Sequence, residues 1–142
     1  MKDNEKKELI LNFIKKHTLA VLSTISSKSK PEAAVIEFSE KNNLELIFDT
    51  FKNFRKYNNL KGNNNVAVVI GWDKNITTQY EGIAVEINNR ELTEYQKIHI
   101  TKLPNAEKFL HMAGIKFFKI IPKWIRYSNL NTNPWEIIEL SF

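Results

Sequence analysis

The sequence predicts a mainly β domain in which six strands close into an antiparallel barrel and a few short helices pack on it. Three observations lead there. Short β-branched and aromatic runs recur along the chain, several of them alternating apolar with polar residues. The connections between most of them are short and polar, which suits hairpins rather than the long crossovers of a parallel sheet. A length of 142 residues supports one hydrophobic core, so a single domain over 1–142 is expected.

Lys6 to Lys16 carries Leu9, Ile10, Phe13 and Ile14 at helical spacing, with Asp3 or Asn4 available as the cap. Leu19 to Ser26 is a short apolar run, and Ser27 to Lys30 turns the chain. Pro31 opens the next run, Ala33 to Phe38, and Leu44 to Thr50 alternates after a turn at Glu40 to Asn43. These strands form an antiparallel meander. Asn53 to Lys61 places Phe54, Tyr57 and Leu60 three residues apart, a helix of about two turns, stopped by Gly62 and three asparagines. Val66 to Ile70 and Tyr80 to Glu91 are the next strands. In the second, Ile83, Val85 and Ile87 alternate with Ala84, Glu86 and Asn88. Leu92 to Lys102 reads as a helix capped by Thr93, and Asn105 to Met112 as a shorter one between Pro104 and Gly114. Ile115 to Tyr127 is a long strand pattern broken at Pro122. Trp135 to Leu140 closes the chain as a strand.

Several chemistries are excluded by composition. With no cysteine there is no disulfide scaffold, thiolate zinc site, cysteine nucleophile or CxxC redox pair. The serines have no GxSxG context, and four widely spaced glycines allow neither a dinucleotide fingerprint nor a phosphate loop. His17, His99 and His111 lack metal-ligand spacing, so no metal site is expected and each histidine reads as surface or core. The net charge of +5 suits an anionic partner, but the lysines are scattered among Asn, Glu and Asp rather than gathered in a stripe. A nucleic-acid-binding barrel is the outside alternative, and no nucleic-acid partner is expected. No apolar stretch approaches the ~20 residues of a membrane span, and the charged start is unlike a secretory signal, so a cytoplasmic protein is expected.

The segment Phe48 to Tyr57 carries the most chemical information, because a strand ends there and a helix begins. A helix start favours anions and slightly disfavours Lys or Arg, yet Arg55 and Lys56 stand there. Together with the Thr50 hydroxyl they suit a phosphate dianion, Arg gripping two oxygens and Lys acting as a point charge. The alternative is a pair of solvent-facing charges. Ala33 and Ala34 are small for a strand, which admits either a planar ring or a tightly packed neighbour. Trp124 suits a core or interface anchor as well as a cofactor contact, and Gln79 suits a loop surface or a ligand.

The order PEAAVIEF, LELIFDTFKNFRKYNNL, NVAVVIGW, TQYEGIAVEI and KIIPKWIRY resembles the pyridoxamine 5'-phosphate oxidase-like flavin-binding split barrels, over about Leu19 to Leu140. The resemblance implies a six-stranded split barrel of the FMN-binding type, a homodimer with FMN at the subunit interface. It implies that Arg55 and Lys56 hold the phosphate, that Asp49 and Thr50 lie beside the ribityl-phosphate, and that the backbone of Ala33, Ala34, Val35 and Ile36 runs along the ring. Gln79 is similar to a family glutamine that contacts the flavin. Trp124 and Arg126 match a C-terminal region that reaches the partner's flavin.

Two departures bear on activity. The vitamin-converting oxidases carry Arg where this chain has Ala33, and an Arg-x-His signature where it has Arg126-Tyr127-Ser128. The expectation is therefore an FMN oxidoreductase with a nicotinamide donor and a small acceptor, not a true pyridoxamine 5'-phosphate oxidase. No catalytic acid or base is assigned, since the flavin would carry the chemistry. The alternative is a non-catalytic flavin, deazaflavin or haem carrier.

Overall fold

The computed structural model describes residues 1–142. The first helix, α1 (Asp3–Lys15), buries Ile10 and Ile14 and leans Leu9, Leu11 and Phe13 on the core. Lys2, rather than Asp3 or Asn4, occupies the cap position, and the Glu5 carboxylate accepts a hydrogen bond from the Lys2 backbone N–H at 3.2 Å. Asp3 falls inside the first turn, where its charge complements the helix dipole.

Strands β1 (Leu19–Ile25) and β2 (Pro31–Glu37) form a hairpin, with Val21 opposite Val35 and Ser23 opposite Ala33. After Phe38 the chain continues as β3 (Ser39–Glu40), which pairs with β4 (Leu46–Phe51) instead of β1. Helix α2 (Arg55–Gly62) follows, then β5 (Asn65–Ile70) and β6 (Ile76–Glu86). Helix α3 (Asn89–Lys102) leads through a 3₁₀ turn (Pro104–Phe109) to the long β7 (Ile115–Asn129) and to β8 (Glu136–Ser141). The chain thus has eight strands, not six. The extra ones arise where a strand changes partner or where a short closing segment pairs on its own.

The sheet order is β2-β1-β5-β6-β7-β4-β3. Because β2 and β3 are consecutive across Phe38, the two ends of that path meet and the sheet curls into a barrel. The split lies along β7. One edge of β7 pairs with β6 from Phe118 to Asn129, while the other is shared, Ile115 to Ile120 taking β4 and Trp124 to Asn129 taking β8. Pro122 does not break this strand as the sequence suggests. The β6 register shifts between Glu81 and Gly82, which pair with Trp124 and Pro122, so Lys123 is bulged out beside the proline. Gly82 permits this close approach, since a Cβ there would lie 2.5 Å from the Ile121 carbonyl oxygen.

The barrel interior holds Leu22, Ile36, Phe38, Phe48, Phe118 and Ile120 around Tyr80. The Tyr80 hydroxyl shares its one proton between the Leu44 and Ile120 carbonyls, 2.8 and 3.0 Å away, and burial pushes its pKa far upward. A smaller cluster of Ile47, Ile87, Tyr95 and Phe117 seats α3 on the barrel. This helix starts earlier than the sequence suggests because Asn88, not Thr93, caps it, accepting from the Glu91 N–H at 3.1 Å. β6 accordingly ends at Glu86 rather than Glu91. No helix is long and apolar enough to cross a membrane.

Candidate functional site

The end of β4 and the start of α2 lie against β2, and a groove runs between them. Part of it, about 320 Å³, is lined by Leu22, Thr24, Glu32, Ala33, Ala34 and the segment Asn53 to Lys56. An adjoining part of about 230 Å³ is walled by Val35, Ile36, Asp49, Thr50, Phe51 and His99 and shares Phe54 and Lys56 with the first. The larger part alone reaches the lower bound of small-molecule sites, about 300 Å³. Eight of the residues expected from the sequence, Ala33 to Ile36, Asp49, Thr50, Arg55 and Lys56, therefore share one groove.

α2 begins at Arg55, two residues later than its apolar spacing suggests, because Phe54 takes the cap position in extended conformation. Arg55 and Lys56 are thus the first two helical residues. The first turn has no acidic residue and no capping side chain, so its electropositive end is uncompensated. Arg55 is largely exposed, with Nη1 3.3 Å from Glu32 Oε2. Glu32 is itself fixed, since its Oε1 accepts from Asn59 Nδ2 at 2.7 Å, and the same nitrogen donates to Thr24. Lys56 is different. It is half-buried and forms no ion pair within 4 Å, and desolvation lowers its pKa despite the opposing pull of Asp49. The reading of a free solvent-facing charge therefore fails for Lys56, whereas Arg55 faces solvent with one carboxylate beside it.

Thr50 supplies a second unmet demand. The residue is 3% exposed and belongs to the groove wall, but its Oγ1 is itself buried and has no hydrogen-bond partner, as is also true of Thr78 Oγ1 on β6, outside the groove. Such a buried orphan costs about 1–3 kcal/mol unless something fills it. Opposite, β2 is the end strand of the sheet path, so one row of its backbone N–H and C=O groups is unpaired by any strand over Ala33 to Ile36. Its side chains are small or turned aside there: Ala33 is exposed and Val35 is 62% exposed. Two cations, Arg55 and Lys56, thus stand among three carboxylates, Glu32, Glu37 and Asp49, beside an open strand edge, in a groove long enough for an elongated ligand.

Gln79, Trp124 and Arg126 are not brought to the groove within one chain. They lie on the outer face of the sheet, where Val35, Val21, Val69, Gln79 and Arg126 form one row across the strands. Arg126 Nε donates to Glu139 at 2.6 Å, and its guanidinium lies 5.7 Å from the Trp124 ring centroid. Glu32, which Asn59 holds from behind, and His99 were not assigned to the groove from the sequence. Only the positions of Glu32 beside the two alanines and of Asn59 one turn beyond Arg55 hinted at that pair.

The curled antiparallel sheet with its shared β7 edge and the groove beside α2 define a split-barrel protein. The sequence model of the pyridoxamine 5'-phosphate oxidase family matches residues 7–129, and the chain belongs to that family. No curated protein sequence matches it. Among solved structures it is similar to general stress protein 26 of Bacillus anthracis, with 25% identity over 94% of this chain and 98% of that one, at a TM-score of 0.72. A haem-binding protein of Mycobacterium smegmatis superposes at a TM-score of 0.81 with 11% identity, covering 99% of this chain and 58% of that one. The haem storage protein HutZ of Vibrio cholerae matches at 0.67 with 14% identity, over 82% and 89%. The chain thus spans little more than half the mycobacterial protein, and at these identities the two haem proteins share its fold.

Proposed function

We propose that this chain is a cytoplasmic FMN-binding protein that works as an oxidoreductase, taking electrons from a nicotinamide donor and passing them to a small acceptor. The observation that carries this reading is the half-buried Lys56, which has no ion-pair partner, in the groove at the uncapped start of α2. A phosphate dianion would supply the missing counter-charge. Arg55 reaches the same anion by leaving Glu32, and the uncapped first turn of α2 adds its dipole. The edge of β2 over Ala33 to Ile36 orients the flat ring and excludes water from one side. When bound, the flavin supplies the electron chemistry, and the protein supplies anchoring and orientation.

The outer-face row fits a homodimer in the same reading. Val35, Val21 and Val69 provide an apolar strip next to the groove, and Gln79, Trp124 and Arg126 of one copy would then stand over the groove of the other. Pyridoxamine phosphate oxidation is disfavoured. β2 (PEAAVIE) presents two carboxylates and no cation, so a second phosphate on the substrate finds no partner there. Haem is disfavoured by the histidines. His99 is enclosed between Ser39 and Asp49, His17 lines a different cleft, and His111 sits exposed beyond the 3₁₀ turn.

The test is the absorption spectrum of purified protein, followed by FMN titration read by fluorescence quenching. Colourless protein that does not quench FMN refutes the reading, and a Soret band in its place assigns haem. Arg55→Ala with Lys56→Ala should abolish most of the affinity. Anaerobic stopped-flow reduction of the bound flavin by NADH or NADPH decides turnover, and no reduction makes the protein a flavin carrier.

A further inference from the structure

The groove holds an amine whose surroundings suit a second chemistry. Burial lowers the pKa of two lysines, Lys56 and Lys102. Lys102 is already engaged: its ammonium meets the Glu40 carboxylate, lies 4.3 Å from the Phe38 ring centroid, and belongs to neither part of the groove. Lys56 has no carboxylate within ion-pair distance and lines both parts.

Three features of its position act against the ammonium form. Lys56 is half-buried, so part of the water that solvates a charge is missing. It follows Arg55 directly, and the guanidinium charge repels a second cation. It is the second residue of α2, where the uncompensated end of the helix dipole is also positive. Two features act the other way, the Asp49 charge and the face of the Phe54 ring, whose centroid is 5.3 Å from Nζ. The remaining titratable groups of the walls are otherwise placed. Glu32 is held by Asn59 and Arg55, His99 by Ser39, and Glu37 is exposed. The net result is a lowered pKa. A desolvated lysine beside another cation is the setting in which an amine becomes a nucleophile toward carbonyl carbon.

We propose that the free groove is a carbonyl-capture site, in which the Lys56 amine forms an imine with small aldehydes or oxo acids that carry an anionic group, and Arg55 holds that group. The neutral nitrogen adds to the carbonyl carbon, and the carbinolamine then loses water. Both N–H protons leave with the oxygen, so the step needs no oxidant or reductant. Arg55 and Lys56 line the same space of about 320 Å³, enough for a ligand of a few carbon atoms. A phosphate pairs with the protonated lysine and a carbonyl reacts with the neutral one, so the two ligands exclude each other. The capture stands on the surroundings of Lys56 and does not require that FMN binds.

The probe is glyoxylate, with acetaldehyde as the uncharged control and sodium cyanoborohydride to reduce the imine to a stable secondary amine. Full-length protein, dialysed free of flavin, is labelled briefly at neutral pH and mapped by peptide mass spectrometry. With glyoxylate, Lys56 should carry more label than the exposed Lys28, Lys74 and Lys97 together. The ratio of Lys56 label to exposed-lysine label should be about tenfold greater with glyoxylate than with acetaldehyde, the value of one charge-assisted hydrogen bond from Arg55. Arg55→Gln should erase that difference and leave acetaldehyde labelling of Lys56 in place. Lys56→Arg should remove the early label and leave the exposed lysines as before. The lead of Lys56 should shrink as pH rises past 10.5, where exposed amines also become neutral, whereas a lead due to accessibility alone would not change with pH. Label on Lys56 at or below the level of the exposed lysines overturns the proposal, and the wild-type map decides this without any variant having to fold. An equal ratio for the two aldehydes overturns the part assigned to Arg55.

Discussion

Replacing Lys56 with methionine should change binding and stability in opposite directions. Lys56 is a half-desolvated cation with no ion-pair partner, and its lowered pKa means that the fold disfavours its charged form. Methionine keeps the stem and removes the charge. With the discount that partial exposure requires, the fold should gain from a few tenths to about 1 kcal/mol. For a domain near 150 residues that is a rise in Tm of roughly 1–4 °C. The sign with pH agrees. The unfolded chain holds its lysine proton to higher pH than the folded one, so wild-type stability lost to this group is recovered as pH rises through the folded pKa toward 10.5. Methionine should remove that recovery. Binding should move the other way, because a charge-assisted contact of about 1.5–3 kcal/mol is lost, weakening FMN by roughly 10- to 150-fold. Thermal unfolding and FMN fluorescence titration measure both on one preparation. A variant that is less stable, or that binds FMN as wild type does, refutes the argument that Lys56 is held for an anion.

Glu32→Gln frees Arg55 from an exposed ion pair worth about 0.2–1 kcal/mol, so FMN affinity should rise roughly 1.5- to 5-fold; weaker binding in the titration would instead make Glu32 a scaffold for Arg55. Glu86 is subject to desolvation that would raise its pKa, but hydrogen bonds from Tyr57 and Lys61 outweigh it and hold the pKa below its usual 4.5. Its stabilising contribution is therefore complete above about pH 4.5 and lost as pH falls further, and Glu86→Gln should flatten the acid limb of urea midpoint against pH. Gly82→Ala forces a Cβ to within 2.5 Å of a backbone oxygen, and should cost about 1–3 kcal/mol by chemical denaturation. Val35→Glu places a charge in the outer-face strip, where Val35 is 62% exposed; a fold of unchanged Tm that elutes as a monomer supports the homodimer, and an unchanged oligomer argues against this face.

The parts of the site that could be read in advance are those written within a few residues. Asp49, Thr50, Arg55 and Lys56 sit where β4 ends and α2 begins, so local periodicity places them together before any tertiary contact is known. The alanines of β2 were legible as small residues in a strand, though not which edge they left open. Helix starts were less legible: α1, α2 and α3 all begin at residues other than those expected, since several nearby side chains can cap and the sheet decides which is free to do so. Pro122 misled because a proline normally ends pairing, whereas the bulge at Lys123 lets β7 continue past it.

Periodicity, turn chemistry and the absence of cysteine determined a mainly β barrel with a phosphate-friendly helix start, because each depends on residues near one another in the chain. What only the tertiary structure decided are the pairings across long separations. Ser39 meets His99 from 60 residues away, Asn59 meets Glu32 from 27, and Gln79 with Arg126 is carried to the outer face rather than to the groove. Those meetings depend on how the sheet curls and where the chain passes from β2, paired with β1, to β3, paired with β4. That curl is set by the summed packing of the core, and no local stretch of sequence contains it.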